Sequence, residues 1–598
     1  MKKRVADIII ETLVDLGIND CFLVVGGGAM HLDNALALNK KINKYCNHHE
    51  QACTMAAEAY ARLSGKMAMA CVTSGPGATN AITGVMGAYQ DSIPMIVVSG
   101  QVRYEISSMN TNLDLRYRGI QEFDIVTSVR NMTKYAVMIT DPLSCRAEIK
   151  KAVQIAMSGR RGPVWIDVPL DVQSAKVYED DLYEYDCDYQ DAEIDDEKIK
   201  YILDTLLKAK RPCILAGTGI VSANVQEMFE AFVDKMGIPV IAGGWCTDLL
   251  YTSHPLYFGL SGDIAPRTGN FILQNADVIL VLGNSLSFRQ TGYAQEKFAT
   301  EAKILWVDVD INESLKPGMR YDTFLCADLK IFFKACEKIN SKWNNNEDWI
   351  KYCDMLKTRF SAYEAIEKID SDARVNSYYF WKKYEEKAKE SRIIAMGNSR
   401  ANAVKIQVGV SYRGQRAITN YLCGSMGYDL PAAIGCAVAS KDEVLCITGD
   451  GSIMMNIQEL QTIIHNELPV KVVVFANEGY EAIRQTNKNF FNGVYMGCTK
   501  ESGISFPDFK KIAEAFGFKY QICKSNADVE EKLDWLLNNS GNLFLEIKQQ
   551  IDNPIIPKVM SRMREDGTFE TPALHDMAPF LDLDELNSLM YENWIKGV

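Results

Sequence analysis

The sequence has no uninterrupted apolar run long enough to cross a bilayer, so no membrane-spanning helix is expected. It has no C-x-x-C pair. Its 16 cysteines are scattered, several inside apolar runs (Cys71, Cys213, Cys446), and read as buried thiols of a reducing cytoplasm, not as zinc ligands or disulfides. It has no long basic run. Asp and Glu outnumber Lys and Arg 77 to 64, a formal net charge of −13, which excludes nucleic acid and anionic membrane as partners. Short repeats and low-complexity tracts are absent too. The basic start, Met1–Arg4, runs into an apolar segment broken by Asp7 and Glu11, the pattern of an amphipathic helix and not of a signal peptide. What is present is ordinary globular composition, 47% hydrophobic and 24% charged over 598 residues. That length is enough for about three or four domains.

Short buried-strand patterns alternate with helical ones along most of the chain. In residues 1–175 the strand patterns are Phe22–Val25, Met67–Thr73, Met95–Ser99 and Val164–Val168, several of them ending in glycine-rich turns. An aspartate-rich linker follows at 179–197. A second unit spans 190–345, with strand patterns at Cys213–Leu215, Val240–Ile241, Val278–Leu282 and Ile304–Val307. A third spans 370–550, and 551–598 is a tail with a late helical pattern from Asp582 to Trp594. The expected class is α/β, with three doubly wound parallel-sheet domains.

The most informative segment is Gly449-Asp450-Gly451-Ser452. It follows the apolar run Val444–Thr448 and precedes a helical pattern, Ile453–Asn466. Glycines allow a sharp turn and close approach to a ligand. Free N–H groups at a helix start favour phosphate. Asn477 lies just past a second strand pattern, Val470–Phe475, so two neighbouring strand ends would place a carboxylate and an amide oxygen together. Hard oxygen donors beside phosphate suit Mg2+. Gly-Asp-Gly is also an ordinary turn sequence, and only agreement with a distant region separates the two readings.

That region holds His48-His49-Glu50-Gln51, then Ser74-Gly75-Pro76-Gly77-Ala78-Thr79-Asn80 and Tyr89-Gln90-Asp91-Ser92-Ile93-Pro94. With Gly424-Ser425-Met426-Gly427 and the Asp450/Asn477 pair, the chain resembles the acetolactate synthase/pyruvate oxidase family of thiamine diphosphate (ThDP) enzymes along nearly its whole length. The resemblance implies pyrimidine-binding, central and diphosphate-binding domains in that order. It implies that Glu50 bonds the aminopyrimidine ring and promotes proton transfer there, in a pocket that includes Pro76 and Asn80. Met426, beside Gly424, would hold the cofactor bent, which is catalysis by proximity. Asp450, Asn477 and the Gly479 carbonyl would ligate Mg2+, and Gly449, Gly451, Ser452, Asn398, Ser399 and Tyr480 would line the diphosphate. Gly27, in the loop Gly26–Gly28, would leave room for substrate, and Gln121 would face it. For His48 and His49 a proton relay and a structural role both stay open.

The chain also departs from acetolactate synthases. Val24-Val25-Gly26 replaces Gly-Tyr-Pro, Ile120 a phenylalanine, Leu170 a lysine, Thr486 a tryptophan and Glu481 a glycine. The acceptor side is therefore remodelled. Ile483 stands where decarboxylases carry a proton-donating glutamate, which favours transfer to a carbonyl over release of aldehyde. Glu481 is either a replacement acid or a solvated helix residue. The central domain either holds FAD, through Arg267, Arg289, Asp308 and Asp328, or is vestigial and empty. The resemblance implies a cytoplasmic homodimer or homotetramer that takes pyruvate and a carbonyl acceptor. The leading reading is an acetolactate synthase-like carboligase. The alternatives are two-carbon transfer to a keto-sugar nucleotide and a pyruvate oxidase-type flavoenzyme.

Overall fold

The structure is a computed structural model. It describes all residues except 1, 187–194, 245, 339–340, 345, 364–365, 367–368, 389, 391, 421, 565 and 598. Part of the expected linker at 179–197 therefore lies outside the described residues. Three six-stranded sheets dominate. In order across each sheet, the first runs Asn43–Cys46, Asp20–Leu23, Met69–Val72, Ile96–Gln101, Val164–Pro169 and Tyr135–Met138. The second runs Tyr257–Ser261, Val240–Gly243, Pro212–Ala216, Val278–Leu282, Lys303–Asp308 and Thr323–Cys326. The third runs Arg416–Thr419, Ile393–Met396, Val444–Gly449, Val470–Ala476, Leu543–Lys548 and Lys519–Cys523. Every pairing in the three sheets is parallel. The expected α/β class and doubly wound architecture are what the structure has.

The central strands are largely apolar because helices cover both faces of each sheet. Successive residues sort to opposite sides. In the first sheet Met69 and Cys71 face one core, with Ile8 and Ile149, while Ala70 and Val72 face another. That second core does not stop at the domain edge. It also contains Ala433, Cys446 and Val472 of the third domain, so the first and third domains share one interior.

Two helices make this possible, Glu50–Ser64 and Asp429–Ser440. Their facing residues are small: Ala56 and Ala59 on one, Ala432, Ala433 and Gly435 on the other. A Cβ on Gly435 would lie 2.1 Å from the Ala56 carbonyl oxygen, so the backbones touch there. A buried polar cluster pins the crossing. Tyr428 and Arg62 both bond the Glu58 carboxylate, and Arg62 also pairs with Asp91 at 2.5 Å. Burial pushes Glu58 up, while Arg62 and Tyr428 pull it back toward the charged form.

One helical expectation differs in detail. Ile453–Asn466 is not a single helix: Asp450–Ile453 and Glu459–His465 are separate. The break turns Asn456 inward, where its amide donates to Gln51 Oε1 at 2.9 Å and to the Gly427 carbonyl at 2.8 Å.

The tail runs back over the central domain. Arg267 donates to the Met577 and Pro579 carbonyls, and Asn270 to the Leu574 carbonyl at 3.1 Å. Tyr352 donates to the Leu589 carbonyl at 2.8 Å. Leu574, Leu586, Leu589 and Tyr591 belong to the central core itself. His575 stacks edge-on against Phe271 with ring centroids 5.0 Å apart, and burial pushes its imidazole down to about 4. A histidine held neutral in the fold but free to protonate when unfolded stabilises the fold above the unfolded value. That contribution is lost as pH falls from about 6.5 toward 4, by on the order of 3 kcal/mol. Thermal unfolding across this range is expected to show a steeper acid loss for the native sequence than for His575→Phe. Identical pH slopes would remove this role.

Candidate active site

Two groups of turns lie at the carboxyl ends of parallel strands, one in the first domain and one in the third. In the first domain Gly26–Gly28 follow Asp20–Leu23, and Thr73–Gly77 follow the paired strand Met69–Val72. Thr73, not anticipated from the sequence, joins the turns: its hydroxyl accepts from the Gly28 N–H at 3.0 Å. A Cβ on Gly26 or Gly77 would lie 2.5 or 2.6 Å from the Thr73 side chain, so neither position has room for one. Gly27 faces open space. Asp33, also unanticipated, accepts from the Gly26 N–H at 3.1 Å, and burial pushes it up to about 6.

Glu50 opens its helix and is 9% exposed. Asn80 Nδ2 donates to its Oε2 at 3.0 Å, and Gly77 packs against its Oε1. Pro76 and Asn80 begin and end the short helix Pro76–Asn80. Gln121 sits at φ 60 and covers the Gly75 turn, where a Cβ would lie 2.4 Å from its carbonyl oxygen. Gly27, Glu50, Pro76, Asn80 and Gln121 are thus linked through Thr73 and the Gly75–Gly77 turn. For the histidines the structural alternative fits. His49 caps the helix, its Nδ1 accepting from the Gln51 N–H at 3.1 Å, and the His48 N–H donates to Glu459 at 3.0 Å.

In the third domain Asp450 and Asn477 end adjacent strands. The Asp450 carboxylate accepts from the N–H groups of Gly451 at 2.9 Å and Glu478 at 2.6 Å. Burial pushes Asp450 up to about 6, while surrounding backbone N–H groups favour its charged form. Asn477 is 6% exposed, and its Oδ1 is buried without a hydrogen-bond partner. Such an oxygen has accepting capacity left for a cation or a water. Asp450, Asn477 and a backbone carbonyl such as that of Gly479 form an all-oxygen set of the kind Mg2+ takes. Among the described residues no group of three His, Cys, Asp or Glu is placed to hold a metal.

The surrounding backbone is tightly packed. A Cβ on Gly451 would meet the Tyr480 ring at 2.1 Å, one on Gly449 would meet Ser399 at 3.2 Å, and one on Gly479 would meet the Cys498 carbonyl at 2.0 Å. Asn398 donates to the Gly424 carbonyl at 2.7 Å. Two serines expected at a diphosphate also take part in local hydrogen bonds. Ser399 caps the helix Arg400–Val408 through Asn402 N–H, and Ser452 bonds Asp429 at 2.5 Å and the Gly427 N–H at 2.9 Å. Asp429, buried two residues past Gly427, was not anticipated from the sequence. Met426 is half-buried between Gly424 and Gly427, and Ile483 is 47% exposed. Glu481 is no solvated helix residue: it is 4% exposed, pairs with Arg400 at 3.3 Å and accepts from the Asn553 N–H at 2.7 Å.

The two groups communicate within one chain. Asn456 bridges Gln51, the neighbour of Glu50, to Gly427, while Asn47 and His48 bond Glu459.

A cleft of about 120 Å³ opens at the strand ends of the central domain. Gly217, Gly219 and Gly283 line it, and a Cβ on Gly217 would lie 2.1 Å from the Gly283 carbonyl oxygen. Asp308, pushed up to about 6 by burial, and Asp328 line it, as do Arg160 and Arg161 from the first domain. The two arginines expected at a flavin are not among its lining. Arg267 holds the tail, and Arg289 pairs with Asp263 at 2.9 Å. Leu422, two residues before Gly424, also borders this cleft.

Three family models match the chain. "Thiamine pyrophosphate enzyme, N-terminal TPP binding domain" covers residues 3–127, the corresponding "central domain" 199–336, and "C-terminal TPP binding domain" 396–547. The chain is 31% identical to the acetolactate synthase large subunit of Buchnera aphidicola subsp. Schizaphis graminum, over 92% of this chain and 95% of that one. It is 29% identical to acetolactate synthase isozyme 2 large subunit of Escherichia coli K12, covering 92% and 96%. It is also 29% identical to chloroplastic acetolactate synthase 2 of Nicotiana tabacum, covering 94% and 84%.

Proposed function

The chain belongs to the thiamine diphosphate enzymes of the acetolactate synthase family, and from that premise we propose that it decarboxylates pyruvate and transfers the two-carbon unit to a carbonyl acceptor. The simplest acceptor is a second pyruvate, giving 2-acetolactate. The observation that carries the reading is the unpartnered, buried Asn477 Oδ1 beside Asp450, in a chain that also buries Glu50 against a glycine turn.

When bound, ThDP supplies the nucleophilic carbon and the electron sink that decarboxylation of a 2-keto acid requires. The residues do the rest. Glu50 exchanges a proton with the aminopyrimidine ring, and Asn80 holds its Oε2 in place. Gly27 leaves space for the keto acid, and Gln121 borders that space. Asp450, Asn477 and the Gly479 carbonyl hold Mg2+. With the Ser452 hydroxyl and the Gly451 N–H engaged within the protein, the Ser452 N–H, the Ser399 O–H and the second amide N–H of Asn398 are left for the diphosphate. Ile483 has no proton to give, which favours attack on the acceptor over aldehyde release. Purified protein with pyruvate, ThDP and Mg2+ is expected to release CO2 and form acetolactate. Glu50→Gln is expected to lower turnover by at least about 10²-fold. No CO2 release at any protein concentration would exclude pyruvate as donor, and near-normal turnover of the variant would overturn the role of Glu50.

We place the enzyme in the cytoplasm as a homodimer or homotetramer. Support for assembly comes from apolar side chains left in solvent beside the site: Tyr117 at 70%, Ile120 at 88%, Phe490 at 73% and Met496 at 82% exposed. Sedimentation at micromolar concentration is expected to show at least a dimer, and a monomer would remove this part of the reading.

The central cleft is proposed to take the nucleotide portion of FAD. Its glycine-lined floor admits a close ligand, and Asp308 and Asp328 stand at strand ends, where ribose hydroxyls are held in such sheets. Arg267 and Arg289 take no part in this. Denatured protein is expected to release one flavin per chain, seen by its fluorescence. Protein that is colourless and flavin-free would leave the domain vestigial.

A further inference from the structure

Glu481 is the residue whose surroundings exceed what the reaction itself asks for. It stands four residues after Asn477, on the first turn of the helix Glu481–Phe490. Its two carboxylate oxygens have separate duties. Oε1 meets three donors: Arg400 Nε at 3.3 Å, Gln485 Nε2 at 3.4 Å and the Asn553 N–H at 2.7 Å. Oε2 meets Asn477 Nδ2 at 3.3 Å. The other end of that amide, Oδ1, is the buried oxygen without a partner. Arg484 holds the same residue by its backbone, donating to the Asn477 carbonyl at 3.2 Å.

A side-chain amide has one accepting end and one donating end, and an ionised carboxylate accepts only. We propose that Glu481 is a positioning residue that fixes the orientation of Asn477, holding the NH2 toward itself and turning Oδ1 toward the divalent cation. The inference rests on the reading of Asp450 and Asn477 as the metal-diphosphate site. A half-turn of the amide would present N–H groups to the cation and remove one ligand. Arg400 keeps the orienting charge in place, and Asn553 ties it to the segment entering the tail. Partners that hold a metal ligand in its binding orientation typically contribute about 10- to 100-fold to metal affinity.

Glu481→Gln separates this role from simple packing. The new amide keeps its oxygen on the three donors around Oε1, and its NH2 then faces Asn477. Asn477 can answer only by turning Oδ1 inward, away from the metal. In an Asn477→Asp background the logic reverses. Both ends of the new carboxylate accept, no orientation is needed, and Glu481 becomes a repelling neighbour. Mn2+ binding in the presence of ThDP, followed by electron paramagnetic resonance on the full-length protein, reads this without catalysis. Glu481→Gln is expected to weaken Mn2+ binding about 10- to 100-fold in the native background and to strengthen it in the Asn477→Asp background. Weakening in both backgrounds, or affinity within twofold of the parent in both, overturns the proposal. If Glu481→Gln alone does not fold, as judged by near-ultraviolet circular dichroism, Asn477→Asp with and without it still decides by the sign of the change. Failure of the unaltered protein to bind Mn2+ with ThDP would remove the metal site itself, a result distinct from equal signs.

Discussion

The close crossing of helices Glu50–Ser64 and Asp429–Ser440 is the contact on which the packing of the first domain against the third depends. It works because the residues between them are small enough for backbone to touch backbone at Gly435 and Ala56. A larger side chain at Gly435 would have to push the helices apart, and overpacking of this kind commonly costs about 1–3 kcal/mol. The crossing merges two domain interiors into one. It therefore sets where the start of one helix, with Glu50, stands relative to the turns that precede the other, with Gly424 and Met426. Glu58, Arg62 and Tyr428 make the crossing specific, because a buried charge is stable only with its partners in place.

At the strand ends the structure spends buried polarity where a ligand can use it. Asp450 is held by backbone N–H groups, which fix its position and favour its charge. Asn477 has one end answered and the other open. The same economy appears at Gly26–Gly28 and Gly75–Gly77, where the Thr73 side chain stands where a Cβ would be. By contrast, Ser399 and Ser452 use their hydroxyls to build the turns. Residues in a binding motif thus divide into those that present atoms outward and those that shape the backbone.

Much of this was legible in the sequence, for physical reasons. Central strands such as Val278–Leu282, and Val470–Ala476 from Val472 onward, are buried on both faces and read as continuous apolar runs. Edge strands such as Asn43–Cys46 and Lys519–Cys523 carry charged or half-exposed residues and did not announce themselves. Glu50, Asp450 and Asn477 stood out because their motifs resemble a known family. Thr73 and Asp429 did not, because they act through contacts between separate segments of the chain, and Asp33 did not because its bond to the Gly26 N–H depends on how the glycine loop turns. Asn456 was hidden inside a helical pattern, and only the tertiary pull of Gln51 and Gly427 breaks that helix. Arg267 bonds the tail carbonyls, a contact across more than 300 residues that no local pattern could show.

The path of that tail has a consequence for how the protein comes into being. Tyr591 and Trp594 pack on Trp349 and Tyr352, and Tyr591 N–H bonds Asn275. On the ribosome, the middle sheet is synthesised about 250 residues before the segment that completes its hydrophobic interior, at an elongation pace of roughly 5–20 residues per second. For tens of seconds the nascent middle domain carries an uncovered apolar seam while the third domain is made and can close around its own core. Order of manufacture and order of completion are therefore decoupled: the part in the centre of the chain is sealed last.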